Sequence, residues 1–278
     1  MRRIIATLAC AASAGLLAPA LATPALAQAR PADPVAALKK QFVTGHGVKF
    51  TERTILTEKG KSSVFVRRSG KFEFAKAGVR SSDITAKFNM TSADRALLPE
   101  NLQAIFKPER TIRVGTTAYI NGGFYGDKLP DGKTWLRFPG GPSGGVTGSF
   151  GQIIDIAEPA TLKRLVTTAT RKGARAYSGT TTIGDLWKIS PWFRNIRFGD
   201  KPTAAQKKVK IAWQLYVTAK GVPTRIVSKY NGAALEGLSK SETVTVDTHF
   251  TGWGGKVSIK APAADLVAEL TDLDLGDS

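Results

Sequence analysis

Cysteine is almost missing from this chain. Of 278 residues only Cys10 is a cysteine, and it lies in an apolar N-terminal stretch. Past that stretch there is no thiol, which excludes disulfide staples, thiol nucleophiles and thiolate metal sites there. Histidine is nearly as scarce: His46 and His249 are the only two. Zinc chemistry draws on several His, Cys or carboxylate ligands at fixed spacing, and no His-x-x-x-His pair exists, so no metal or cofactor is expected. Apolar runs of the roughly 20 residues needed to span a membrane are absent after the N-terminus. Acidic residues are few, 22 Asp and Glu against 40 Lys and Arg.

The N-terminus reads as a secretory signal. Arg2 and Arg3 open it, an apolar stretch to Leu21 follows, and Ala25-Leu26-Ala27 is a small-x-small site. Cleavage is expected before Gln28, giving a signal over 1–27 and one domain over 28–278 with a short lead and a C-terminal tail. The run before Cys10 is short for a lipoprotein signal, so no lipid anchor is expected at Cys10. The expected location is extracellular or associated with the cell envelope. Removing Arg2 and Arg3 leaves 38 basic against 22 acidic residues, a formal +16. Such an excess favours anionic partners, either an envelope polymer or a membrane surface. The basic residues form no run of five and no nucleic-acid motif organises them, so nucleic acid is not expected.

Asp33-Pro34 reads as a helix start, with Val35, Leu38 and Phe42 on one face. The period then changes to two. "VKFTERTIL" is a strand candidate, and "SSVFVRR" and "KFEFAKA" read as a hairpin about Ser69-Gly70. "DITAKFNMT" alternates, and "TIRVGTTAYI" puts Ile112, Val114, Ala118 and Ile120 together. "KVKIAWQLYVT", "PTRIVSKY" and "SETVTVDTHF" continue the series. Strands with one apolar and one wet face indicate an antiparallel sheet. "EPATLKRLVTTATRK" is a second amphipathic helix, with "GDLWKISPWF" a third apolar segment interrupted by Pro191. The glycine-rich "PGGPSGGVTG" (139–148) reads as a mobile connection. The expected fold is α+β: a single curved antiparallel half-barrel with two or three helices packed on its concave face.

Motifs for catalysis are wanting. Gly148-Ser149-Phe150-Gly151 lacks the strand–nucleophile–helix context of an esterase elbow, and the phosphate-cradling Gly-x-x-x-x-Gly-Lys-Ser/Thr pattern is absent. Asp127 with Asp131, or Glu236 with Glu242, could supply paired carboxylates, yet nothing sets their separation. No enzymatic activity and no catalytic residue are expected. His249 falls on the wet strand face and His46 has no partner, so neither is assigned a role. The bulky strand faces offer candidates for an apolar cavity: Phe72, Phe74, Ile84, Phe88 and Met90, then Ile112, Val114, Trp213, Leu215 and Val217. Alternation alone cannot distinguish a cavity from a filled core.

Five segments in order carry a resemblance: "TTAYINGGFYGDKLPDGKTWLRFP" (116–139), "IAEPATLKRLVTTA" (156–169), "YSGTTTIGDL" (177–186), "KIAWQLYVTAKGVPTRIVSKY" (210–230) and "ETVTVDTHFTGWGGKVSIKAPAADLV" (242–267). Together they resemble the actinobacterial envelope lipoproteins of the LppX/LprG type, within the LolA-like superfamily. The resemblance implies a half-barrel with helices in its concavity, holding acyl chains between them, and a carrier or chaperone of a lipid or lipoprotein. It implies no catalytic residue. The alternative is an interaction module of the same fold that binds an envelope protein or an anionic polymer. "THFTGWGGKVSIKAP" reads as a strand end, a glycine turn and a last short strand, with Trp253 against the sheet edge.

Overall fold

The computed structural model describes residues 32–235 and 238–273. The expected signal, its cleavage site, Cys10 and the end of the tail lie outside the described residues.

Twelve strands among the described residues form one open, curved sheet. They are β1 (His46–Glu58), β2 (Lys61–Ala75), β3 (Gly78–Phe88), β4 (Glu109–Val114), β5 (Thr117–Gly122) and β6 (Trp135–Pro139), then β7 (Arg171–Lys172), β8 (Ala176–Thr182), β9 (Lys210–Val217), β10 (Pro223–Asn231), β11 (Thr243–Lys256) and β12 (Val267–Ala268). The order is β12-β6-β5-β4-β3-β2-β1-β11-β10-β9-β8-β7. Neighbours are antiparallel except β12 and β6, which pair in parallel at one edge. The α+β half-barrel expected from the alternation is the architecture observed.

The helices are short: α1 (Pro34–Lys39), α2 (Ser92–Ala96), α3 (Glu100–Gln103), α4 (Pro159–Thr168), α5 (Ile183–Ile189), α6 (Pro191–Ile196) and α7 (Ala204–Lys207). Asp33 caps α1 by accepting from the Val35 amide at 2.9 Å, leaving Leu38 to enter the core. Leu162 and Leu165 of α4, Leu186 of α5 and Phe193 of α6 join the same core. They meet Val48, Phe50, Phe72, Trp213, Leu215 and Val246 from the concave sheet face. Pro191 has no amide hydrogen to continue α5. Ser190 instead caps α6, accepting from the Phe193 amide at 3.0 Å.

Five local readings are corrected. Ser69-Gly70 is no turn: β2 runs through it, and a Cβ on Gly70 would collide with the Asp83 carbonyl and the Phe50 ring. "TIRVGTTAYI" is two strands, folded back at Gly115, whose φ of +59° few side-chain-bearing residues adopt. Residues 252–254 bulge out of one long β11, between Thr251, paired with Lys49, and Gly255, paired with Gly47. Trp253 in that bulge stacks on Phe74 at 5.8 Å and donates to the Pro223 carbonyl at 2.7 Å. The segment after β11 is not a strand; Val257 and Ile259 pack on the convex face against Ile112.

The fifth correction changes the concavity itself. The glycine-rich segment is not a mobile surface connection. Residues 142–157 are mostly buried, and their Ile153, Ile154 and Ile156 belong to the main core. Backbone that deep needs internal partners, and the sheet supplies them.

Candidate functional site

Charged residues sit on the inward phase of three strands. Val48, Phe50, Glu52 and Thr54 of β1 share the concave face, as do Val66, Arg68 and Phe72 of β2. On β4 the inward residues are Glu109, Thr111 and Arg113, because Thr111 pairs with Ile84 and Ile120. Glu52 and Arg68 are directly opposed in the register and form a buried ion pair. Glu52 also accepts from the Gln152 amide at 3.2 Å and from Thr248 Oγ1 at 2.8 Å. Gln152 in turn accepts from Ser228 Oγ at 2.8 Å.

Glu109 accepts from the Thr147 amide and hydroxyl at 3.1 and 2.8 Å and from the Val146 amide at 3.3 Å. Burial raises the Glu109 carboxyl above its ordinary range, while those donors and the Arg68 charge oppose the rise. The glycines of the segment now have a reason. A Cβ on Gly151 would collide with Arg68 Nη1, and one on Gly145 (φ +62°) with the Glu109 carboxylate. The loop encases a buried chain of charges, and only bare backbone fits.

Where the segment leaves the concavity it borders a cleft of about 340 Å³. Arg80, Ser82 and Arg113 line its sheet side, and Asp155, Glu158 and Trp192 its helical side. Arg113 Nε is buried and finds no hydrogen-bond partner among the described residues. The carboxylates opposite are unusual. Glu158 joins α4 to α6, accepting from Ser190 Oγ at 2.5 Å, the Trp192 amide at 2.6 Å and Thr161 Oγ1 at 2.8 Å. Burial pushes its carboxyl upward against those bonds. Asp155 is raised too, by burial and then by the Glu158 charge. Two neighbouring carboxyls in a dry place resist holding two negative charges.

Beneath the cleft lies a hollow of about 20 Å³ walled mainly by Phe50, Phe72, Ile154, Trp192 and Phe250, with Glu52, Gln152, Asp155 and Thr248 completing its lining. Asp155 and Trp192 belong to both spaces. Trp192 sets its ring edgewise to Phe72 at 5.8 Å and donates from Nε1 to the Gln152 carbonyl at 2.9 Å.

The ten expected cavity residues divide three ways. Phe72, Phe74, Ile84, Trp213, Leu215 and Val217 lie in the main core, filled by the helices and residues 153–156. Phe88 and Met90 belong to a separate aromatic cluster with Phe65, Phe106 and Phe150. Ile112 and Val114 are corrected: they face the convex side beneath Val257 and Ile259, since the inward phase of β4 is polar. Residues missed by the pattern are Glu52, Arg68, Glu109 and Arg113. For Glu52 and Arg68 the signal was a charge on the apolar phase of a strand, whereas Glu109 and Arg113 lie on the polar phase of β4 and gave none. Asp155, Glu158 and Trp192 lie in non-repeating sequence and gave none.

Ser149 donates to the Val146 carbonyl at 3.2 Å, Asp127 pairs with Lys107, Asp131 is exposed, and Glu242 accepts from the Ser239 amide at 2.5 Å. Glu236 lies outside the described residues. His249 is on the exposed convex face with Nε2 3.1 Å from Asp247 Oδ1. His46 contacts the Thr44 carbonyl at 3.3 Å. Among the described residues no cluster of His, Cys and carboxylates could hold a metal, and no helix is long and apolar enough to cross a membrane.

The arrangement defines a class: an open antiparallel half-barrel whose concavity is closed by its own chain, with a mixed polar and apolar cleft at its mouth. No protein-family model matches the chain, and no curated protein matches it significantly. Among solved structures it is similar to a LolA superfamily protein from Nitrosomonas europaea, at 8% identity and TM-score 0.28 over 78% of this chain and 91% of that one. It is also similar to a DUF1329 family protein from Desulfovibrio piger, at 9% identity and TM-score 0.28 over 78% and 92%. An outer membrane lipoprotein-sorting protein domain from Vibrio parahaemolyticus aligns at 8% identity and TM-score 0.26 over 78% and 89%. Likeness this remote carries no functional argument.

Proposed function

We propose that this is a secreted or envelope-associated, non-enzymatic protein that binds an acyl-bearing ligand, a lipid or lipoprotein, as its carrier or chaperone. The observation that carries the reading is the junction at Trp192. A cleft with an unpartnered buried guanidinium nitrogen on Arg113 meets an aromatic hollow leading into the core. An anionic headgroup pairs with Arg113 and Arg80 while its chain lies toward Phe50, Phe72 and Phe250. The raised carboxyls of Asp155 and Glu158 reduce the repulsion such a headgroup meets. Each buried methylene contributes about 0.8 kcal/mol, so ten offer roughly 8 kcal/mol before the costs of binding.

A hollow of about 20 Å³ holds no acyl chain. Binding therefore requires Trp192 and Ile154 to move aside, and the form described is the closed one. The filled interior also favours the second reading, an interaction module of the same fold with no internal ligand. Native mass spectrometry with organic extraction of protein from its own host, together with titration of a fluorescent fatty-acid analogue, separates the two. The carrier reading expects recovered lipid and micromolar probe binding that weakens in Arg113→Gln. Failure of both extraction and probe binding leaves the interaction module.

A further inference from the structure

The convex face carries a second arrangement that the acyl reading does not use. Its residues fall into rows running across the strands. In one row Arg53 of β1 is opposite Arg67 of β2, which is opposite Lys87 of β3. In another, Lys49 of β1 is opposite Lys71 of β2. Between them runs a row of short hydroxyls, Thr51, Ser69 and Thr85, continued by His249 on β11. Arg225 of β10 and Arg110 of β4 stand at the two ends of that hydroxyl row.

Like charges directly opposed on neighbouring strands are destabilising. Here there are three such pairs in adjoining strands: Arg53 with Arg67, Arg67 with Lys87, and Lys49 with Lys71. Two carboxylates lie nearby, both at row ends. Asp247 pairs with Arg53 at 3.2 Å and bidentately with Arg225 at 2.7 and 3.0 Å. Asp83 pairs with Lys71 at 3.6 Å and bidentately with Arg110 at 2.9 and 3.0 Å. These bonds hold the end arginines in place, and Arg110 and Arg225 also rest on the Trp135 and Tyr216 rings at 5.6 and 5.4 Å. Lys49, Arg67 and Lys87 have no carboxylate partner among the described residues.

The short hydroxyls leave the middle row low and the cations raise both sides. The result is a trough with two hollows of about 490 and 320 Å³ that share Thr51. The hydroxyl row with its end arginines crosses six strands, about 24 Å at about 4.8 Å spacing, while the cationic walls cover three strands on one side and two on the other. Four residues along a strand set the walls about 13 Å apart. A single small anion cannot reach both walls and both end arginines. An extended polymer with repeated negative charges can, with successive groups turned to either wall.

We propose that this trough binds a linear polyanion with phosphate-type repeats, such as an anionic envelope polymer. The assignment is independent of the acyl ligand, which enters from the concave face.

The test uses long-chain inorganic polyphosphate as the probe, titrated into the full chain at physiological ionic strength. Wild type binds, and orthophosphate at equal phosphate concentration does not compete. The triple variant Lys49→Gln/Arg67→Gln/Lys87→Gln weakens binding at least tenfold, and its log–log salt slope is shallower by about 2–3. Its thermal stability holds or rises, because opposed like charges are gone. The control Lys163→Gln/Lys188→Gln/Lys240→Gln removes the same charge elsewhere and stays within about twofold of wild type. Equal weakening in the control, or equal competition by orthophosphate, overturns the proposal. So does binding to phosphatidylglycerol vesicles without binding to polyphosphate, which makes the face a membrane contact. Fatty-acid probe binding is unchanged in the trough variant, so either assignment can fail alone.

Discussion

Arg68 Nη1 lies 2.9 Å from Glu52 Oε1 across two neighbouring strands, with the side chains 1% and 3% exposed. The pair sits in the middle of the concave face, where both residues replace apolar side chains in the alternation. Its worth lies in what depends on it. Glu52 is also the acceptor for the Gln152 amide and Thr248, so the ion pair anchors the buried segment to β1, β2 and β11. Arg68→Met leaves Glu52 charged, buried and short of its cation. The expected loss is about 3–5 kcal/mol, measured by urea unfolding. Arg68→Met/Glu52→Gln recovers a large part of it. Equal losses in the single and double variants would show that packing, not charge, dominates here.

The same arginine makes a glycine indispensable. Gly151→Ala places a methyl into Arg68 Nη1, and the guanidinium cannot retreat without leaving Glu52. A loss of about 1–3 kcal/mol is expected. Gly126→Ala, with nothing within 4 Å of the added Cβ, should stay within about 0.5 kcal/mol of wild type. Similar melting temperatures for the two variants would remove the casing role assigned to the loop.

These residues show what alternation can and cannot convey. Val48, Phe50 and Val246 announced their face because neighbours on that face are apolar. Glu52 and Arg68 share the phase and were legible as exceptions to it. Ile112 and Val114 misled for the opposite reason. Their face is also covered, by Val257 and Ile259, while the inward Glu109, Thr111 and Arg113 answer to the loop and the cleft. A strand buried on both sides has no single apolar phase. The glycine-rich run was ambiguous in a further way: glycine serves mobility and close approach alike, and only the partner across the contact decides. For Gly151 that partner is Arg68, 83 residues earlier in the chain. Helix starts were the clearest signals, since the Asp33 cap and Pro34 act within a few residues of each other.

Asp155 gives the pH dependence a sign. Its folded-state carboxyl is pushed up to about 8 by burial and by Glu158, against roughly 3.9 when unfolded. Between those values the folded state holds more protons than the unfolded one, so this group's contribution is fullest below about pH 4 and is lost as pH rises toward 8. Asp155→Asn removes that slope while its side-chain oxygen still accepts from the Ala157 amide. Relative to wild type the variant gains stability from pH 5 to 8, read from urea midpoints across that range. A difference that stays flat with pH would place the Asp155 carboxyl in its ordinary range.

If the protein carries an acyl ligand as proposed, Trp192 is the side chain that must move for the closed interior to open. Its indole bond to the Gln152 carbonyl and its edgewise contact with Phe72 together hold the closed form by about 1–2 kcal/mol. A ligand that binds only the open form has its apparent dissociation constant divided by the open fraction. Trp192→Leu removes both interactions and leaves an apolar wall between cleft and hollow. The open fraction then rises by the corresponding factor, and the fluorescent fatty-acid analogue binds about 5–30-fold more tightly. Stability falls by a similar 1–2 kcal/mol, because the indole bond and the ring packing both belong to the closed form. Changes deeper in the core do not isolate this step: Leu215→Lys buries a charge at a fully enclosed position and unfolds the sheet. The informative result is the pairing of lower stability with higher affinity in Trp192→Leu. Lower stability with unchanged affinity removes Trp192 as the gate and directs the search for an acyl entrance elsewhere on the concave rim.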